Sequence, residues 1–103
     1  MPVTLEENDG LKTIRLEGAI GIDLAGELKT LLLKALEPGG EMRVAIEGAV
    51  NLDVTAMQLL WAAKRAAELL GVGFAFEGKA QERVSAALDE AGLERFTPGS
   101  EAN

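Results

Sequence analysis

Asp53 and Thr55 place a carboxylate and a hydroxyl two positions apart within Asn51-Leu52-Asp53-Val54-Thr55-Ala56-Met57-Gln58-Leu59-Leu60, where a strand-like segment gives way to the longest helical pattern in the chain. A helix N-terminus carries unpaired backbone N–H groups and the positive end of the dipole, so it favours anions and phosphates. The chemistry this pair offers is phosphate acceptance at Thr55. A phosphate adds about −1.5 to −2 charges at pH 7 and, at a helix start, leaves the fold intact while reversing the character of anything docked there. Asp53 would repel that phosphate, which assigns it to capping the helix or orienting the unmodified hydroxyl. A plainer reading stands beside this one. Thr55-Ala56-Met57-Gln58 fits the capping box, in which Thr and Gln satisfy backbone donors reciprocally; in a variant of it, Asp53 is the cap and Thr55 lies in the first turn.

Composition narrows what such a site can do. The 103 residues contain no histidine, cysteine or tyrosine. Histidine-based nucleophilic catalysis, phosphorelay, thiol chemistry and a zinc site are therefore not expected, and no metal or other cofactor is assigned. Seventeen carboxylates against ten Lys and Arg give a net charge of −7, which opposes a nucleic-acid surface and docking on anionic lipid. Without an apolar run of about 18 residues no membrane span is expected, and without a basic-then-apolar start no signal peptide; the expected location is the cytoplasm. Hydrophobic content of 48% reads as globular. The length fits a single domain over 1–103, with an ordered core from about 3 to 96 and a tail over 97–103.

The elements that must hold Asp53 and Thr55 follow from periodicity. Val3 and Leu5, then Leu11 to Glu17, alternate about Asp9-Gly10, which predicts a β-hairpin. Gly18 to Ile22 reads as a glycine-rich connection. Asp23 is placed to cap a first helix carrying Leu24, Leu28, Leu31, Leu32 and Ala35 inward, stopped by Pro38-Gly39-Gly40. Met42, Val44 and Ile46 predict a third strand covered on one face, and Gly48 to Asp53 lead from it to the second helix. The second helix runs Val54 to Leu70, with Met57, Leu60, Ala63, Ala67 and Leu70 inward and Gly71 as its stop. Val72, Phe74 and Phe76 predict a fourth strand. Ala80 to Glu90 predicts a third helix with Val84, Leu88 and Ala91 inward, closed by Gly92 and Leu93, and Phe96 at the core edge. The order is ββαβαβα: an α/β fold with a mixed sheet and helices mainly on one face. Trp61 lies one position beyond the inner stripe, either covering the helix–sheet seam or standing as an exposed anchor at an interface. Lys64 and Arg65 read as solvated helix surface, and Leu33 and Leu59 lie off their helices' inner stripes.

From about Val3 to Phe96 the sequence resembles the STAS domain family of bacterial anti-sigma factor antagonists. The resemblance is carried by Arg15-Leu16-Glu17-Gly18 closing the second strand, by Leu52-Asp53-Val54-Thr55-Ala56-Met57, and by Val84, Leu88, Ala91-Gly92-Leu93 and Phe96 at the end. Ala56 stands where the family usually has glycine, and Val54 where it has a hydroxyl. The resemblance implies a non-catalytic signalling adaptor, phosphorylated at Thr55 by a serine/threonine kinase that doubles as an anti-sigma factor. It also implies a docking surface from the segment around Thr55 and the loop after the second strand: Asp23, Asp53, Val54, Thr55, Ala56, Gln58 and Trp61. An alternative within the family is an accessory subunit that docks on a transporter ATPase, or in a chemotaxis-type complex, without phosphorylation. An enzyme is the least expected outcome, since no acid–base pair or metal cluster is recognisable.

Overall fold

The structure, a computed structural model, describes residues 2–36 and 40–90. The chain opens on the expected hairpin, β1 (Val3–Asn8) and β2 (Leu11–Ile20), paired antiparallel with Asn8 opposite Leu11. Asp9 and Gly10 both take positive φ, 52° and 83°. A two-residue turn of this kind needs that conformation at both positions, because only then does its twist match that of the strands. A short 3-10 turn (Ile22–Leu24) leads into α1 (Ala25–Ala35); β3 (Glu41–Leu52), α2 (Val54–Leu70), β4 (Gly73–Glu77) and α3 (Glu82–Glu90) follow.

The four strands lie side by side in the order β1-β2-β3-β4, with β2–β3 and β3–β4 parallel. This is the mixed sheet expected from the hairpin and the two helical crossovers. Two strands run further than expected. Gly18, Ala19 and Ile20, read as a connection, belong to β2, and 48–52, beyond the alternating Met42, Val44 and Ile46, belong to β3. Alternation hid them because the ladder slips twice, between Arg15 and Glu17 and between Gly18 and Ala19, so β3 carries extra residues against β2. A bulge breaks the period of two without ending the strand. The second slip restores the register at Ile20 and Leu52, both buried, and this long β2–β3 pair carries the backbone to the α2 mouth.

All three helices contribute to one apolar cluster with the inner face of the sheet. Leu28, Leu32 and Ala35 of α1, Leu60, Ala63 and Ala67 of α2, and Val84 and Leu88 of α3 are buried there, with Ile14, Leu16, Val44, Ile46 and Phe76 from the strands. Leu24 and Leu31 pack at its margin. Leu70, expected inward, is about half exposed, because Gly71, in the left-handed conformation (φ 72°), ends α2 there and turns the chain back to the sheet. The opposite sheet face carries ion pairs, Arg15 with Glu6 at 3.2 Å and Arg43 with Glu41 and Glu77 at 3.3 and 3.5 Å. The hydrogen bond and charge of Glu6 make the Arg15 guanidinium more basic than usual. These exposed pairs solubilise the face and add little stability. At the C-terminal end, α3 begins at Glu82, two residues later than expected. The stop at Pro38-Gly39, the cap at Ala91-Gly92-Leu93 and the packing of Phe96 lie outside the described residues.

Candidate functional site

The mouth of α2 is built by Asp53. Its backbone N–H donates to the Ile20 carbonyl at 3.1 Å, tying the end of β3 to the end of β2. Its extended backbone (φ −83°, ψ 178°) breaks the strand into the helix, and its Oδ1 accepts from the Ala56 N–H at 2.9 Å. Of the two capping arrangements the sequence allowed, the structure holds the one with Asp53 as cap. The Thr55–Gln58 capping box is not formed, because Thr55 already has helical backbone as the second residue of α2. Its side chain is half-buried and makes no hydrogen bond among the described residues. Asp53→Ala is therefore expected to cost about 1 kcal/mol of stability, with Asp53→Asn and Thr55→Ala costing less; urea unfolding of the three variants checks the order.

The loop after β2 comes to the same place. A Cβ on Gly21 would stand 3.2 Å from Asp23 Oδ1 and 3.8 Å from Asp53 Oδ2, so the two carboxylates flank one bare stretch of backbone. Asp23 does not cap α1, as the sequence suggested. The 3-10 turn displaces the helix start, so that Leu24 takes the cap position without a side-chain bond and Asp23 is left exposed on the turn. Beside it Ile22 is 75% exposed, and across the mouth Val54 is 71% exposed. Two aliphatic side chains are thus exposed at this end of the sheet.

An open groove of about 600 Å³ runs from this mouth between α2 and α3, lined by Leu52, Asp53, Val54, Met57, Gln58, Trp61 and Ala87. Trp61 is 45% exposed on its wall, not sealed over the seam. The Arg65 guanidinium sits 5.1 Å from its ring centroid, one turn along the helix, so Arg65 is a ring partner and not merely solvated surface. Lys64 is largely covered and pairs with Glu68. Of the residues expected on the docking surface, Asp53, Val54, Gln58 and Trp61 line the groove, while Asp23 and Thr55 stand at the mouth. Ala56 does not belong to the surface. It lies on the inner face of α2 and is buried, because three positions from the cap the helix has turned that side chain onto the sheet. Ile22 and Ala87 were missed. Ile22 looked like loop filler, and Ala87, three residues after buried Val84, has a pattern that predicts core packing and says nothing of a groove. Among the described residues no group of three or more acidic side chains is placed to hold a metal, and no helix is long and apolar enough to cross a membrane.

A four-stranded mixed sheet backed by helices, with a capped helix mouth and an apolar groove beside it, defines a small α/β domain. Residues 3–98 match the family model described as "Mlab, STAS domain", and the chain belongs to the STAS domain family. Comparison with curated proteins gave no match. Among solved structures, the anti-sigma factor antagonist SpoIIAA in its unphosphorylated form is 16% identical over 92% of this chain and 84% of its own, with a TM-score of 0.79. An anti-sigma factor antagonist from Mycobacterium paratuberculosis is 18% identical over 93% and 81%, with a TM-score of 0.76. The Bacillus cell fate determinant SpoIIAA in its phosphorylated form is 15% identical over 92% and 87%, with a TM-score of 0.74. At these identities the likeness is one of fold, that of anti-sigma factor antagonists.

Proposed function

We propose that this STAS domain is a non-catalytic cytoplasmic adaptor that docks a partner protein on the α2 mouth and the β2–α1 turn. Thr55 accepts phosphate from a serine/threonine kinase that is itself the partner, acting as an anti-sigma factor. The observation that carries the reading is the division of labour at the mouth. Asp53 supplies the cap, so the Thr55 hydroxyl makes no hydrogen bond among the described residues and stays half-buried at the helix mouth beside exposed Val54. A phosphate there meets the N-terminal dipole of α2 and is tolerated by the fold. The same charge, next to exposed Val54, disfavours any partner that covers the helix mouth, by desolvation. A structural neighbour known in unphosphorylated and phosphorylated forms supports the reading.

A second reading on the same surface, within the family whose model matches, is an accessory subunit that docks on a transporter ATPase and needs no modification. Capture from cell extract with wild-type, Thr55→Ala and Thr55→Glu proteins separates the two, with the intact mass of each bait measured after ATP. The expected result is one phosphate on the wild type alone and a kinase that Thr55→Glu releases. Equal retention of a transporter ATPase by all three proteins establishes the second reading instead. Phosphate confined to Thr4, Thr13, Thr30, Ser85 or Thr97 removes Thr55 from the mechanism.

A further inference from the structure

The hairpin turn carries a reactive pair that the α2 mouth does not use. Of the four aspartates, Asp9, Asp23, Asp53 and Asp89, only Asp9 is followed by glycine; Leu24, Val54 and Glu90 follow the others. A backbone nitrogen can attack the carboxyl of the residue before it, and a glycine nitrogen has no side chain to screen it. Both partners are bare here. Asp9 and Gly10 are exposed. Among the described residues the Asp9 carboxylate has no ion pair or hydrogen bond, and the Gly10 N–H has no acceptor. Beyond the adjoining residues, no described atom lies within 4 Å of where a Gly10 Cβ would stand.

The conformation of the turn decides when the two groups meet. A φ of 52° at Asp9 and 83° at Gly10 makes it type I′, in which the first central residue holds ψ at about +30°. Ring closure between the Gly10 nitrogen and Asp9 Cγ requires that nitrogen to eclipse Cβ about the Cα–C bond. In an L-residue this means a strongly negative ψ. The closed hairpin therefore holds nitrogen and carboxyl apart. Turning ψ that far parts Asn8 from Leu11 and swings away the Gly10 carbonyl, which accepts the Glu41 N–H at 3.1 Å. Strand β1 pairs with β2 alone, at the edge of the sheet, so it can open while the other strands stay paired.

We propose that Asp9–Gly10 is a self-modification site, which converts to an isoaspartyl linkage through the open hairpin and then keeps the turn from closing as before. The Gly10 nitrogen forms a bond to Asp9 Cγ, and its proton leaves with a carboxyl hydroxyl as water. Water then adds to the ring at the former main-chain carbonyl of Asp9. The ring opens so that the chain runs through Cβ and Cγ, with a free α-carboxylate. Mass and charge end where they began, and no oxidant is needed. The backbone is now one methylene longer within a turn whose geometry is that of two residues, so the Asn8–Leu11 pairing and the Gly10–Glu41 bond are lost. The turn stands at the start of β2 and the α2 mouth at its end, so the proposal is independent of Thr55.

The test incubates the full chain at neutral pH, folded and in urea above its unfolding midpoint. Isoaspartate is counted by enzymatic methyl transfer to its α-carboxylate and placed by peptide mapping. Conversion is expected at Asp9, about tenfold or more slower in the folded protein. Val3→Ala removes a buried anchor of β1 and should raise the folded rate severalfold, with urea unfolding showing that the variant is still folded. Asp9→Gly accepts the same turn and should give no isoaspartate. In the converted protein, separated by chromatography, amide exchange should quicken at Glu41 and stay slow at Asp53, whose N–H is bound to Ile20. Equal rates in the folded protein and in urea, or a folded rate that Val3→Ala leaves unchanged, would overturn the gate. Earlier conversion at Asp23, Asp53 or Asp89 would overturn the site. A converted protein that keeps Glu41 protected would overturn the effect on the hairpin.

Discussion

Phe76→Ala is expected to lower the unfolding free energy by about 3–5 kcal/mol, the largest stability loss of any substitution considered. Phe76 is the bulkiest of the fully buried side chains and stands on β4 opposite Val44. Removing the ring forfeits its transfer energy and leaves a cavity that close-packed neighbours fill only in part. Its ring meets that of Phe74 edge-on, with centroids 5.5 Å apart and planes at 88°, a contact the substitution also breaks. A domain of this size has about 5–15 kcal/mol in total, so one residue governs about a fifth or more of it. Urea unfolding checks the value, and the denaturant slope should stay unchanged. Phe74→Ala provides the comparison: it breaks the same ring contact from a partly buried position and should cost clearly less. Equal losses at the two positions would mean that the core does not close on Phe76.

Trp61→Ala is expected to act in the opposite way, weakening partner docking by about 2 kcal/mol or more, roughly 30-fold, while costing the fold less than about 1 kcal/mol. A tryptophan nearly half exposed on the wall of an apolar groove offers a large contact area. Arg65 over its ring holds the indole in place before a partner arrives, worth about 0.5–1 kcal/mol at an exposed position. Arg65→Ala should therefore show a smaller docking loss through a looser ring, and Trp61→Phe should retain most of the affinity. Calorimetric titration with the partner recovered through the α2 mouth gives the affinities, and urea unfolding gives the stabilities. If Trp61→Ala unfolds as readily as Phe76→Ala, the indole is core and the docking reading of this wall fails.

The two substitutions show what was legible beforehand. Phe76 reads as core from the alternation Val72, Phe74, Phe76 alone, since an edge strand with one covered face repeats every two residues. Trp61 left two readings open, because one position beyond a buried stripe is the boundary where a few degrees of helix rotation separate seam from surface. Asp53 and Thr55 were both legible as residues of a helix start. Their roles were not, because either can cap, and the choice depends on where β3 releases the chain. That point is set by two bulges that interrupt the strand periodicity.

The local features were all present in the order of residues: the Asp9-Gly10 hairpin, the stop at Gly71, the inner stripes of α1 and α2, and a hydroxyl beside a carboxylate at a helix mouth. Each depends on neighbours within about four positions, through backbone sterics and the 3.6- and 2-residue periods. What lay beyond that range came from packing. The β2–β3 pairing brings Ile20 against Asp53 and so places the Gly21–Asp23 turn beside the Asp53 cap. The seating of α2 turns Ala56 inward and leaves Trp61 open, and α3 comes alongside to supply Ala87 as the far side of the groove. These contacts join residues tens of positions apart. Their energies come from burying shared surface, which no single stretch of the chain possesses.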